Sequence, residues 1–122
     1  MTYRVAVSST DGKVVNRHFG HTEKFLIFEI TGEDKYCFVE SRSIQPCCNN
    51  GEHEMQAFYN AIEALEDVQA VIVSKIGEGA AAFLESKGLT IYEAPYPIEP
   101  IIQKILDEKL YEVDKWRFHI SN

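Results

Sequence analysis

Two short stretches carry the residue types that bind metals. His18-Phe19-Gly20-His21, with Asn16 beside it, sets two imidazoles around a glycine. Imidazole ligates zinc, copper and iron well, and Gly20 permits the sharp turn that would bring both rings to one ion or cluster. Taken alone, the pair also describes a surface loop whose histidines bind nothing while Phe19 fills the core. The second stretch is Cys47-Cys48, with His53 five residues beyond. Thiolates are soft ligands that select copper(I), zinc and metal-sulfur clusters. Vicinal cysteines chelate one small ion poorly, however, and three cysteines in the chain cannot build a four-cysteine zinc site. Such a pair also fits a turn with one thiol buried and one exposed. Cys37 falls mid-strand and is assigned to the core.

A third pattern is Val71-Ile72-Val73, then Gly77-Glu78-Gly79-Ala80-Ala81-Ala82, then a helix, a strand and Glu93. It resembles the dinucleotide fingerprint, in which glycines admit the pyrophosphate to a helix N-terminus and an acid holds the ribose. Against it, only one strand follows, Ser74-Lys75-Ile76 lengthens the turn, and Glu78 sets negative charge beside a phosphate. Tight helix-sheet packing through small residues explains the same glycines. The chain has no Gly-x-Ser-x-Gly, no Walker A pattern and no His-Glu-x-x-His. Tyr3–Ser9 alternates as a half-buried first strand, and its Arg4 to Ser9 stretch lacks the carboxylates a nuclease of the ribonuclease H type needs there. No catalytic residue is assigned.

The elements that must position these residues follow from hydrophobic period. Thr10 to Glu23 fits neither helix nor strand and reads as a long functional loop with an Asp11-Gly12 turn. Lys24 to Ile30 and Lys35 to Ile44 make an antiparallel hairpin, and Gln45 to Gly51 a second loop rich in turn formers. Met55, Phe58, Tyr59, Ile62 and Leu65 fall on a helical stripe. Ala70–Val73 is a buried parallel strand, Gly77 to Lys87 a helix closed by Gly88, and Leu89 to Tyr92 a fifth strand. Ile98, Ile101, Ile102, Ile105 and Leu106 mark a last helix ending near Leu110. The tail, 111–122, carries Trp116 and Phe118 and is expected to dock. The result is one α/β domain over 1–122, core about 3–110, in the order β-β-β-α-β-α-β-α: a mixed five-stranded sheet with helices on its faces. If the first strand lies beside the hairpin, the two loops open at one end of the sheet. His18, His21, Cys47, Cys48 and His53 then come within reach of one another.

Composition narrows the partners. The 122 residues are 45% hydrophobic and 25% charged, enough for a core without staples, so any metal is functional rather than structural. Twelve Lys+Arg against 19 Asp+Glu give a net charge of -7, and the cations are scattered, which argues against nucleic acid. No apolar run spans a bilayer, and Met1-Thr2-Tyr3-Arg4 leads into a strand rather than a signal peptide. Three cysteines suggest free thiols in a reducing compartment. A cytoplasmic protein with no membrane partner is expected.

The string Asp11-Gly12-x-Val14-Val15-Asn16-x-His18-Phe19-Gly20-His21 before Phe25-Leu26-Ile27-Phe28 is similar to the opening of the nitrogenase iron-molybdenum cofactor biosynthesis family. These NifX-like domains occur alone and as the C-terminal part of NifB. Ile76 to Ala80, Leu84, and Lys87-Gly88-Leu89-Thr90-Ile91-Tyr92 fit that family's second half. The resemblance covers about Tyr3 to Leu110. It implies a ribonuclease H-like fold without nuclease activity, and a non-catalytic carrier of a metal-sulfur cluster of molybdenum or iron, or a related copper-containing sulfide. Donor and apo-acceptor proteins of cofactor assembly would be its partners. His18 matches the family's His-Phe-Gly histidine as a cluster ligand, and His21 matches the subset with a second histidine; Cys47 and Cys48 rest on ligand chemistry alone. A metal-free protein-protein adaptor and a nucleotide-binding protein using the Gly77-Gly79 turn are the alternatives.

Overall fold

Residues 3–32, 35–44 and 54–107 are described by a computed structural model. The strands are β1 (Tyr3–Ser8), β2 (Lys24–Gly32), β3 (Lys35–Ser43), β4 (Ala70–Val73) and β5 (Thr90–Glu93). The helices are α1 (Glu54–Ala64), α2 (Glu78–Ser86) and α3 (Ile98–Asp107), and Phe19–His21 forms one 3-10 turn. The five strands make one mixed sheet in the order β3-β2-β1-β4-β5. β2 is antiparallel to both β1 and β3, while β1, β4 and β5 run parallel. The element order and mixed sheet read from hydrophobic period are those of the molecule.

Each strand's composition matches its place. β1 is paired on both edges, and its residues from Val5 onward are buried on both faces, so it is the centre of the sheet rather than a half-buried strand. The small Ala6 and Ser8 admit a helix layer where alternation alone predicts solvent. Val5, Val7, Leu26, Ile72 and Tyr92 pack with Ile98, Ile101, Ile102, Ile105 and Leu106, all five apolar residues of the α3 stripe. On the other face Ala6, Phe25, Ile27, Val71 and Ile91 pack with Ala61, Leu65 and Leu84 of the α1–α2 layer. Tyr59, counted in the α1 stripe, is 53% exposed and leans edge-on against Phe83 instead.

β3 is the edge strand, and here the alternation reading fails. Ile27 pairs with Glu40 and Phe28 with Phe38, so Val39 is an extra residue in a β-bulge. The bulge resets the face of everything beyond it. Tyr36 and Phe38 stay with Phe28 on the α3 side, whereas Arg42 crosses to the opposite side and donates to the Ala64 carbonyl at 2.8 Å. Cys37, expected in the core, is an exposed free thiol, because among the described residues no helix covers this edge of the sheet at its position.

Candidate functional site

Parallel β1, β4 and β5 end at the same edge of the sheet, and antiparallel β2 begins there. The loops after β1, β4 and β5 are therefore neighbours, as in open α/β sheets whose ligands sit beyond the carboxyl ends of the strands. Lys24 pairs with Ser43, and the Ile44 amide donates to the Glu23 carbonyl at 2.8 Å. The chain thus leaves β3 beside the point where the histidine loop enters β2. Cys47, Cys48 and His53 themselves lie outside the described residues, as do Trp116 and Phe118.

The histidine loop is long but tightly held. Gly12, at φ +78°, makes the turn that Asp11-Gly12 predicts. The Asp11 carboxylate accepts the Lys13 and Val14 amides at 2.9 and 3.2 Å, which holds its pKa below the ordinary value. Asn16 closes the loop on itself, accepting the Thr10 amide and donating to the Thr10 hydroxyl. Val15 donates to the Tyr96 carbonyl, Ser74 to that of Arg17, and Phe19 to that of Lys75 at 2.9 Å. The loop is stitched to the turns after β4 and β5.

Phe19 is 2% exposed and packs on Phe25 with ring centroids 6.3 Å apart. Its side chain anchors the 3-10 turn and is turned away from solvent. Buried Thr22 donates to the His18 carbonyl at 2.9 Å. With the Thr22 proton on that bond, Ser8 gives its own proton across the 2.7 Å Ser8–Thr22 hydroxyl pair in preference to the Arg17 carbonyl at 3.3 Å. With Phe19 and Thr22 inward, His18 and His21 are left exposed, their ring centroids 6.0 Å apart and tilted by 38°. Metal–nitrogen bonds of about 2.0–2.1 Å plus the ring radii put two imidazoles on one centre at roughly this spacing. Gly20 lies between them, partly exposed.

Among the described residues no three His, Cys, Asp or Glu side chains gather to hold an ion. The structure therefore brings His18 and His21 together with backbone support from Asn16, Phe19 and Thr22. Sequence reasoning missed Ser8, whose only signal is a hydroxyl at the end of an apolar strand, and Thr22, which stands among His21, Glu23 and Lys24 with no signal of burial. It also missed Arg17, Lys24 and Ser43, which with Ser9, Thr10 and Glu23 line a hollow of about 280 Å³ at the same edge.

The Gly77-Gly79 turn has a different character. No atom lies within 4 Å of a Cβ built on either glycine, and Ala82 is exposed, so tight packing does not require these small residues. Glu93, the expected ribose acid, instead accepts the Ile76 amide at 2.9 Å. No helix among the described residues is long and apolar enough to cross a membrane.

Comparison with known proteins places these features in a family context. The profile of the family described as dinitrogenase iron-molybdenum cofactor matches residues 1–108. The FeMo cofactor biosynthesis protein NifB of Frankia alni is 35% identical over 107 residues, covering 85% of this chain and 20% of that protein. NifB of Azotobacter vinelandii is 32% identical over 105 residues, covering 84% and 20%. The chain thus spans about one fifth of the length of these relatives. A crystal structure from Methanocaldococcus jannaschii, carrying a provisional dinitrogenase assignment, superposes with a TM-score of 0.56 at 23% identity. The match covers 89% of this chain and 92% of that one, and shows a shared fold.

Proposed function

Because the chain belongs to the dinitrogenase iron-molybdenum cofactor family, we propose that it binds and delivers a metal-sulfur cluster through His18 and His21. The exposed, paired imidazoles on a turn pinned by Phe19 and Thr22 carry this reading. The cargo is a cofactor precursor of molybdenum, iron or both, or a related sulfide with copper. A preformed cluster brings sulfide ligands of its own, so two protein donors suffice where a bare ion would need more. Cys47, Cys48 and His53 are the further donors, since the chain carrying them departs from Ile44 beside the histidine loop. Exposed ligands on loops held by a rigid sheet suit loading from a donor protein and release to an apo-acceptor. The protein does no chemistry on the cargo and works in the cytoplasm.

The test is an anaerobic titration of the apo-protein with tetrathiomolybdate, with and without copper(I), and with an iron-sulfur donor. Charge-transfer absorption and metal and sulfide content are then measured after desalting. Stoichiometric retention is expected, and His18→Ala should weaken it by about tenfold or more with the fold intact, as loss of a ligand or its immediate support does. Equal retention by wild type and His18→Ala would remove His18 from the site, and no retention from any donor would favour the metal-free adaptor.

A further inference from the structure

The hollow lined by Ser9, Thr10, Arg17, Glu23, Lys24 and Ser43 contains a group that the cluster reading does not use. The Nε–H of Arg17 is buried and has no hydrogen-bond acceptor among the described residues. A guanidinium is always charged and a buried donor without an acceptor is costly, and because the Arg17 side chain as a whole is 40% exposed, a small rotation of the group offers its N–H donors to an acceptor in the hollow. Its nearest acid is Glu23, whose carboxylate stands 3.8 Å from the terminal nitrogen and is 69% exposed. An ion pair that long and that wet contributes little.

The remaining walls add donors of the same sense. Among the described residues the Lys24 ammonium has no ion-pair partner, and Lys24 stands beside Ser43 across the β2–β3 ladder. The Thr10 hydroxyl accepts from Asn16, which leaves its own proton free to donate. Ser9 is already committed to Asp11 and to the Asp11 and Gly12 amides, so it shapes the wall rather than binding. With Glu23 counted, two cations against one acid give a local positive charge on a chain of net charge -7. About 280 Å³ is well above the ~30 Å³ share of one water.

We propose that this hollow is an anion subsite for a tetrahedral oxyanion or thioanion, with Arg17 and Lys24 as its charges and Thr10 and Ser43 as its neutral donors. Arg17 directly precedes His18 and Glu23 follows Thr22, so the subsite and the histidine pair are carried by one loop although neither imidazole lines the hollow, and an anion held there would sit on the same platform as the cluster. The natural ligand rests on the cluster reading; the binding of anions does not.

The experiment follows the Arg17 Nε–H resonance and the backbone amides by NMR as molybdate, tetrathiomolybdate or phosphate is added to the apo-protein. Wild type should show saturable shifts at Arg17 and Lys24. Arg17→Gln should weaken binding by about tenfold or more, the loss of one charge-assisted hydrogen-bonded partner, and Arg17→Lys should restore part of it. A larger response to tetrathiomolybdate than to phosphate identifies the cluster-type anion as the ligand; equal responses identify a general oxyanion site. No saturation by about 10 mM, or equal affinity in wild type and Arg17→Gln, overturns the proposal. If cluster retention fails while saturable anion binding persists, the delivery reading falls and the subsite stands. If clusters are retained but Arg17→Gln changes nothing, the subsite alone falls.

Discussion

At the scale of single residues, the histidine pair depends on hydroxyls buried beneath it. Ser8 donates to Thr22, and Thr22 donates to the His18 carbonyl, so the end of the central strand fixes the backbone from which the imidazole projects. Thr22→Val keeps the shape of the side chain and removes that relay. It takes the 2.7 Å partner from the buried Ser8 hydroxyl, which keeps only the Arg17 carbonyl at 3.3 Å, and leaves the His18 carbonyl with the His21 amide alone, a loss of about 1 kcal/mol in stability. Urea unfolding should show that loss, and cluster retention should weaken without any ligand having been removed. Unchanged stability would mean that water replaces the hydroxyl and that Phe19 alone positions the turn. The two histidines stood out in the sequence through the longer string around them, which resembles the family's His-Phe-Gly opening, since a histidine pair around a glycine is by itself common and weakly specific. The relay did not, since serine and threonine occur everywhere and acquire meaning only from the fold that buries them.

At the scale of elements, the edge strand is tied to the helical layer by charge. Asp67, in the α1–β4 connection, takes both terminal nitrogens of Arg42 at 2.6 and 2.9 Å and one from Arg4 at 2.7 Å. The hydrogen bond from Arg42 leads in lowering its pKa from the ordinary 3.8 to about 2. A depressed carboxylate pKa stabilises the folded state above the unfolded value and loses that contribution as pH falls through the folded one. The clamp should therefore hold at neutral pH, weaken as pH falls below about 4 and lose the remainder only as pH falls through about 2. Asp67 is 44% exposed, so solvent screening keeps the effect modest, and Asp67→Asn should flatten only that acid limb of the stability profile. A carboxyl resonance of Asp67 titrating near its ordinary value would contradict the clamp. Arg42 reaches Asp67 only because the bulge at Val39 moves it to the helix side, and this is where reading by alternation lost the strand. β4 and α3, by contrast, were found with correct faces because burial dictates every one of their apolar positions. Helix ends were legible where chemistry marks them. Gly88, at φ +93°, closes α2 with its amide on the Glu85 carbonyl and that of Leu89 on Leu84.

At the scale of the whole molecule, the sheet is asymmetric, and that asymmetry divides stability from function. β1 has a strand on each side and a helix layer on each face, whereas β3 has one neighbour and exposes most of its residues, with Phe38 at 55%. A free strand edge is a template for pairing, and here Lys35, Glu40 and Arg42 along the strand and the bulge at Val39 restrain it. Local opening should follow the same gradient. In native-state hydrogen exchange, the Val5, Ala6 and Val7 amides should open only with global unfolding, and the outward amides of β3 should exchange orders of magnitude faster. The gradient bears on the proposed delivery role, because the 3-10 turn carrying the histidines enters β2 and is stitched to the turns after β4 and β5. It is tied to the doubly flanked half of the sheet while standing beside the edge strand. On that reading a ligand platform so supported would exchange cargo without unfolding, the predicted local opening lying in β3 and not in β1 or β4. Should the β3 amides prove as protected as those of β1, the edge is covered in solution, and the delivery argument would have to place the acceptor somewhere else.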